Sequence, residues 1–336
     1  MGTSHPVTAP LPGVLATIGN TPLVRLDRLA LTPLHELYAK VEGFNPGGSS
    51  KDRSAMAMIA GAMQRGELAV GGTVVESSSG NMGVGLAQIC SRLGLHFICV
   101  TDERATSTHL RLMQLQGAEV EVVTLGGNSA RSLLEQRLRR VQELLRIVPN
   151  SYWPNQYANA DNPAAHEITM HEIVQALTYP PDLIICSVST CGTLVGCARY
   201  IDEQGLPTRI IAVDSVASSI FAKPSGTRLL PGMGAAVIPP LMKEPNRYDL
   251  VRVSDAQCVA GCRTVLLKEA LLVGGSSGAV TAAYMERGQS LSGRLTCVLL
   301  FPDRGERYLD TIFSDEWARR NGLLQEDGER SAVATP

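Results

Sequence analysis

Apolar, β-branched runs alternate with amphipathic segments along almost the whole chain. Buried strands are predicted at 36–42, 72–77, 96–101, 118–125, 182–189, 209–215 and 295–301. Between them, apolar residues at helical spacing predict helices at 50–68, 81–94, 129–145 and 192–204. Continuous apolar strands that alternate with helices are typical of parallel sheets covered on both faces, so the pattern predicts an α/β fold.

The length of 336 residues suits about two domains, and seven strands over this length favour two α/β layers over one. The irregular stretch 147–163, rich in proline, asparagine and aromatic residues, is the best candidate for a crossing between domains. A second irregular stretch, 223–246, is long enough to indicate a functional or disordered loop. The tail at 325–336 is predicted to be disordered.

Composition narrows the class of partner. A net charge of −2 argues against nucleic acid or an anionic membrane as the main partner. No apolar run approaches the ~20 residues that a membrane-spanning helix needs, and the polar, proline-rich segment 1–12 does not resemble a secretory signal. Most of the eight cysteines lie in apolar runs, as buried thiols do in a reducing cytosol. We therefore expect a cytoplasmic protein with small-molecule partners.

The most unusual cation lies in the stretch NPGGSSKDR at 45–53. The turn at 45–48 ends the preceding strand, and Ser49 or Ser50 can cap the next helix. Lys51 then falls in the first helical turn, where the helix dipole disfavours positive charge and helps to keep the amine neutral, as a nucleophilic lysine requires. A lone lysine in such a position is more often an exposed side chain that reaches into solvent.

Three further stretches rich in glycine and serine also end a strand or turn and begin a helix: ESSSGNMGVG at 76–85, SVSTCGTLVG at 187–196 and GGSSGAV at 274–280. Backbone N–H groups and hydroxyls at such helix starts form anion sites, suited to a substrate carboxylate in the first and to a phosphate in the second. The second lacks the lysine of a P-loop and the spacing of a dinucleotide fingerprint. Each stretch also suits an ordinary turn or helix cap.

Two patterns that suggest a metal do not complete a site. His166, Glu167 and His171 resemble HExxH, but the second histidine is five residues after the first, so the two point to different faces of a helix. Both are therefore interpreted as surface histidines. Cys258 and Cys262 have no second pair to complete a zinc set. No metal site is expected.

Taken together and in order, NPGGSSKDR, SSSGNMG, PNQYANADNP, STCGT, GGSSGA and PDRGERYLD resemble the fold-type II pyridoxal-5′-phosphate (PLP) enzymes of the cysteine synthase and cystathionine β-synthase family, from about Leu15 to Trp317. The resemblance implies a fold similar to the tryptophan synthase β subunit, with two three-layer α/β domains and mostly parallel sheets. The larger domain, at 1–45 and 156–324, would bind the cofactor phosphate, and the smaller domain, at 46–155, would be mobile. Family members are usually homodimers.

The resemblance also implies roles for individual residues. Lys51 would carry PLP as a Schiff base, Asn81 would hydrogen-bond the ring hydroxyl oxygen, and Ser276 would face the pyridine nitrogen. The residues implied to hold the cofactor phosphate are Ser189, Thr190, Cys191, Gly192 and Thr193. The residues implied to bind the substrate α-carboxylate are Ser78, Ser79, Gly80, Met82 and Gln156.

The reaction that the resemblance implies is replacement of the β-substituent of a serine-derived amino acid, with ping-pong kinetics. The stretches YWPNQYANADN, SIFAKPSGTRLLPGMGA and LLFPDRGERYLDTIFSDEW are most similar to the siderophore-pathway branch, which joins O-phospho-L-serine to the amine of L-glutamate on the way to L-2,3-diaminopropionate. Arg228, in the second stretch, would meet a phosphate or a glutamate carboxylate, or would be a solvated loop residue.

Two alternative functions remain. The first is a cysteine synthase that uses sulfide with O-acetyl- or O-phospho-L-serine. The second is a catalytically silent PLP-fold binding subunit, against which the intact Lys51, Asn81 and Ser276 argue.

Overall fold

The computed structural model describes residues 11–124 and 130–324, so the predicted disordered tail lies outside the described residues. The strands are β1 (Leu23–Arg25), β2 (His35–Val41), β3 (Thr73–Ser77), β4 (His96–Asp102), β5 (Glu119–Val123), β6 (Ser151–Tyr152), β7 (Leu183–Ser187), β8 (Arg209–Ser215), β9 (Asp249–Val253) and β10 (Leu295–Phe301). The helices are α1 (Lys51–Gln64), α2 (Asn81–Leu93), α3 (Ser107–Leu115), α4 (Ala130–Ile147), α5 (Asp161–Leu177), α6 (Gly192–Glu203), α7 (Asp255–Glu269), α8 (Gly275–Gly288) and α9 (Asp315–Arg320).

These strands form two sheets. The larger has the order β1-β2-β10-β7-β8-β9 and the smaller has the order β5-β4-β3-β6. Every neighbouring pair is parallel except β1 with β2, which is antiparallel. The predicted α/β fold with mostly parallel sheets is confirmed.

Successive side chains of the central strands contribute to two hydrophobic cores, one on each face of the larger sheet. In β10, Cys297 and Leu299 face the core beneath α7 and α8, whereas Val298 and Leu300 face the core beneath α5 and α6. Because successive side chains point to opposite faces of a strand, a strand buried on both faces must be apolar throughout. This explains why LTCVLLF is a continuous apolar run and why the sheet is the middle of three layers.

The smaller sheet is built in the same way. Val74 packs with α1 and α2 on one face, and Val75 packs with α4 on the other. The stretch 147–163 contains β6 of this sheet and the start of α5, which packs on the larger sheet. The domain boundaries and the mobility of the smaller domain stay predictions.

All eight cysteines are buried and free, as their apolar surroundings predicted. Within the described residues, no helix is both long and apolar enough to cross a bilayer, and no cluster of three metal-ligating side chains occurs.

Candidate active site

The candidate site lies where parallel strands of the larger sheet end and the following helices begin, which is where open α/β sheets bind ligands. A cleft at this edge holds about 510 Å³ of space free of protein atoms, including its open mouth. One wall is formed by the turn before α1 and the other by the turn before α6. The cleft thereby brings together residues that the sequence predicted as a lysine and its phosphate site: Lys51, Ser189, Thr190, Cys191, Gly192 and Thr193.

Lys51 is the first residue of α1 and lines the cleft. The turn before it is fixed by the Ser50 N–H, which donates to the Pro302 carbonyl at 2.8 Å. Burial lowers the pKa of Lys51, and nearby carboxylates, Asp303 foremost, oppose that shift. The neutral amine that the helix dipole led us to expect is therefore favoured mainly by burial. The alternative of a solvated surface lysine is wrong.

The helix that carries Lys51 is anchored by a buried charge cluster. Arg53 pairs with Glu42 at 2.6 Å and with Glu172 at 2.7 Å, and Glu172 also pairs with Lys40 at 2.6 Å. Lys40 donates in addition to the Thr21 carbonyl at 2.7 Å. Each charge has several partners, as burial of an ion requires. The cluster ties α1 to β2, to α5 and to the chain segment before β1.

The turn before α6, at residues 189–191, has the form of a phosphate site, and we call it the phosphate turn. Cys191 adopts the left-handed conformation, with φ of 67°, and α6 begins at the next residue. A Cβ on Gly192 would lie 2.2 Å from Asn162 Oδ1, so only glycine fits there. Hydroxyls and first-turn N–H groups meet at this point, which suits a dianion. Burial raises the pKa of the Cys191 thiol to about 12, which disfavours the reactive thiolate.

His166 is not the surface histidine that the sequence analysis expected. It is 1% exposed, and its Nε2 lies 3.1 Å from Ser54 Oγ and 3.3 Å from Thr193 Oγ1. Burial, reinforced by the Lys51 charge, lowers its pKa well below the ordinary value, so the ring is neutral. His166 thus connects α1, which carries Lys51, to α6, which follows the phosphate turn. His171, by contrast, is exposed as expected.

Asn81 begins α2 and is held by residues that sequence analysis did not single out. Its Nδ2 donates to Asp303 Oδ2 at 2.7 Å, and its Oδ1 accepts from Arg307 and lies 3.3 Å from His109 Nε2. Burial and the Arg307 charge lower the pKa of His109 to about 4. Tyr308 donates to the same Asp303 oxygen at 2.5 Å. Asp303, Arg307 and Tyr308 lie in the motif PDRGERYLD, which was the sequence signal that could have identified these three residues.

The predicted carboxylate-binding residues occupy the turn between β3 and α2. Ser78 Oγ accepts from the Gly83 N–H at 2.9 Å, so this hydroxyl shapes the turn itself. Ser79 and Gly80 are partly exposed, whereas the Met82 side chain packs in the core. Any contact of Met82 with a ligand would therefore come from its backbone N–H.

Gln156 reaches the same turn from the chain segment after β6. Its Nε2 donates to the Ser77 carbonyl at 3.3 Å, and its backbone N–H donates to Glu76 at 3.2 Å. Burial raises the pKa of Glu76 to about 7, although hydrogen bonds from Ser77, Trp153 and Gln156 act against it. The contact places Gln156 beside the turn where the sequence predicted it.

Ser276 and Arg228 do not line the cleft itself, although Ser276 lies beside the cleft residue Gly232. Ser276 is the second residue of α8, and a Cβ on cleft residue Gly232 would be 3.5 Å from its hydroxyl. Arg228 is not a solvated loop residue, because its Nη1 is buried without a hydrogen-bond partner among the described residues. Burial lowers its pKa, which Asp214 and Asp255 oppose.

The residues present fit PLP. The Lys51 amine and a hydroxyl-rich helix start line one cleft, and the buried Ser276 hydroxyl lies beside the cleft residue Gly232. The lysine amine suits the aldehyde of PLP, the helix start suits its phosphate, and the serine hydroxyl suits its ring nitrogen.

Residues 14–303 match the family model described as pyridoxal-phosphate dependent enzyme. The chain is 39% identical over 325 residues to N-(2-amino-2-carboxyethyl)-L-glutamate synthase of Ralstonia nicotianae, covering 96% of this chain and 95% of the relative. It is 40% identical over 311 residues to the enzyme of that name from Cupriavidus metallidurans, covering 91% of each.

Solved structures with the same fold include O-ureido-L-serine synthase, with a TM-score of 0.83, 26% identity and coverage of 92% of this chain and 98% of the other. An O-acetylserine dependent cystathionine β-synthase from Helicobacter pylori has a TM-score of 0.83, 29% identity and coverage of 90% and 99%. The resemblance inferred from the motifs, including the cofactor, is confirmed. This chain belongs to the pyridoxal-phosphate-dependent enzymes of fold type II.

Proposed function

We propose that the protein is a β-replacement synthase that joins O-phospho-L-serine to L-glutamate, giving N-(2-amino-2-carboxyethyl)-L-glutamate and phosphate. The observation that carries the reaction class is Lys51 in one cleft with the phosphate turn before α6. The choice of substrates is supported by the identity of about 40%, over almost the whole chain, to two synthases of that name.

Lys51 has the central role in this proposal. PLP, when bound, withdraws electrons from the substrate Cα and so weakens its C–H bond. The amine of Lys51, which burial helps to keep neutral, takes the Cα proton and later returns it. The Cβ–O bond to phosphate breaks, a bond from Cβ to the glutamate nitrogen forms, and the proton that this nitrogen loses leaves with the phosphate. Ser276 would offer a hydroxyl rather than a carboxylate to the ring nitrogen of bound PLP, which would favour prompt loss of the β-substituent.

The turn before α2 has the binding role. Ser79 and Gly80 are partly exposed at a helix start, where backbone N–H groups favour an anion, so we assign them the substrate α-carboxylate. Asn81 follows them as the first residue of α2. Thr193, held by neutral His166, is assigned to the cofactor phosphate. Each of these roles is a proposal for its residue.

The test is phosphate release from O-phospho-L-serine by the purified holoenzyme, with and without L-glutamate. We expect release to require glutamate and to match formation of the condensed amino acid, measured by mass spectrometry. Release that is independent of glutamate would contradict the proposal. Rapid cysteine formation from sulfide and O-acetyl-L-serine would identify a cysteine synthase instead, and a cofactor spectrum unchanged by any serine derivative would identify a silent binding subunit.

Changing Arg228 to alanine should lower the preference for phosphorylated over acetylated donor. A charged hydrogen bond to phosphate that acetate cannot make is worth about 1.5–3 kcal/mol, so the ratio of kcat/KM values should fall roughly tenfold to a hundredfold. Lys223→Ala is the control, because Lys223 is an exposed cation of the same loop. An unchanged ratio in Arg228→Ala would remove Arg228 from the donor site.

We also propose that the enzyme is a cytoplasmic homodimer. Burial of all eight thiols suits a reducing compartment, and the dimer follows from the family resemblance. Light scattering on the purified protein should give twice the chain mass of 35.9 kDa.

A further inference from the structure

Asp303 is a buried carboxylate in the candidate site to which neither the resemblance nor the proposed reaction gives a role. It follows β10 and is 4% exposed. Its Oδ2 accepts from Asn81 Nδ2 at 2.7 Å and from Tyr308 at 2.5 Å. Its Oδ1 is buried without a hydrogen-bond partner among the described residues. A buried carboxylate oxygen without a partner calls for an explanation.

The backbone of Asp303 joins the other two elements of the site. It forms an antiparallel bridge with Ser49, two residues before Lys51. Its carbonyl accepts from the Gly274 N–H at 3.2 Å, and α8 begins at the next residue. A Cβ on Gly274 would lie 2.0 Å from Asp303 Oδ1, so the two residues are in close contact. The lysine helix, the Asn81 helix and the helix that carries Ser276 therefore all meet at Asp303.

Stabilisation of the fold does not explain why a carboxylate occupies position 303. Burial, the largest cause, raises its pKa, and the hydrogen bonds from Tyr308 and Asn81 only oppose that shift. Burial therefore disfavours the charged form of this carboxylate, and the two hydrogen bonds offset only part of that cost. Residues that lower stability in a site are commonly there for function. Asp303 is also the foremost carboxylate acting on the Lys51 amine.

We propose that Asp303 is a positioning residue of the cofactor site: it fixes the orientation of the Asn81 amide and the spacing between the starts of α1, α2 and α8. The inference rests on the assignment of Lys51, Asn81 and Ser276 to PLP made above. Asp303 acts through Asn81 on the cofactor ring, whereas the phosphate is held at a separate turn. A change at Asp303 should therefore alter how the ring is held.

The test is Asp303→Asn, which keeps the shape of the side chain and removes its charge. The Asn81 amide loses its charged acceptor, so the dissociation constant for PLP, from titration of the apoprotein, should rise about tenfold. The visible circular dichroism of the saturated protein, which reports ring orientation, should change as well. The apoprotein should unfold at the wild-type temperature or above it, because the buried charge is gone. Asp310→Asn, an exposed aspartate of the same segment, is the matched control and should match wild type in all three.

Tyr308→Phe provides a second, smaller change, because it removes one donor to Asp303 Oδ2 and leaves the carboxylate in place. We expect a rise of about threefold in the PLP dissociation constant. This variant decides the question if Asp303→Asn does not fold. Unchanged affinity and dichroism in the variants that fold would overturn the proposal, and so would an apoprotein that is destabilised while its cofactor signals stay at wild type. If wild-type protein forms no cofactor band linked to Lys51, the assignment of the site fails as well.

Discussion

Replacing Lys51 with alanine should abolish turnover and remove the covalent link to PLP. Lys51 is the lysine that lines the cleft beside the phosphate turn, and burial favours the neutral amine that the chemistry needs. Loss of a positioned proton-transfer group alone lowers rates by roughly 10²–10⁴-fold, and loss of the covalent link adds to this. The visible absorbance band of the holoprotein and the rate of phosphate release measure the two effects.

The matched control for this change is Lys268→Ala. Lys268 lies exposed in the last turn of α7, so its removal should leave both the band and the rate unchanged. Reduction of wild-type holoprotein with borohydride, followed by peptide mass analysis, should place the label on Lys51. A label on another lysine, or turnover retained in Lys51→Ala, would refute the central assignment.

Gly192→Ala should damage both the fold and the cofactor site. The new Cβ would lie 2.2 Å from Asn162 Oδ1 and 2.5 Å from its Cγ, far inside contact distance. Asn162 holds the Gln156 carbonyl at 2.7 Å and Thr190 Oγ1 at 3.3 Å, so its displacement would disturb the cofactor side and the substrate side of the site together. We expect the free energy of unfolding to fall by about 1–3 kcal/mol and the affinity for PLP to fall by more than tenfold.

Urea denaturation of the apoprotein and PLP titration separate these two effects. Gly85→Ala in α2 is the comparison, because its Cβ would meet its nearest neighbour, Asp52 Oδ1, at 3.3 Å, a far smaller overlap. Alanine also suits a helix interior better than glycine does, by about 0.5–1 kcal/mol. If the two variants bind PLP equally well, the close packing at Gly192 does not matter to the site.

The strands that sequence predicted well are those buried on both faces. The predicted runs 209–215 and 295–301 coincide with β8 and β10, because nearly every position of such a strand must be apolar. β9 was missed because its sequence, DLVRV, is short and alternates with charged residues. Most residues of α8 are buried, and so its sequence lacks the polar stripe that identifies a surface helix.

The residues of the candidate site also differ in how far local sequence indicates them. The roles of Lys51 and of the turn before α6 came from the resemblance that local motifs carry, and these roles stay predictions. His166 and Asp303 were not predictable, since their roles come from contacts with residues far away in the chain, such as Ser54 for one and Asn81 for the other. The low pKa of Lys51 was expected from the helix dipole, but burial, which no local pattern reveals, is its main cause.

The charge cluster beneath α1 depends in part on Asn20 and Thr21, which precede β1. Thr21 supplies a carbonyl to Lys40 and a hydroxyl that donates to Glu42, and the Asn20 N–H donates to Glu172. Proteolytic trimming that stopped short of Asn20 would leave these partners in place. Trimming through Thr21 would remove one partner from Lys40 and one from Glu42, so Asn20 and Thr21 help to support the helix that carries Lys51.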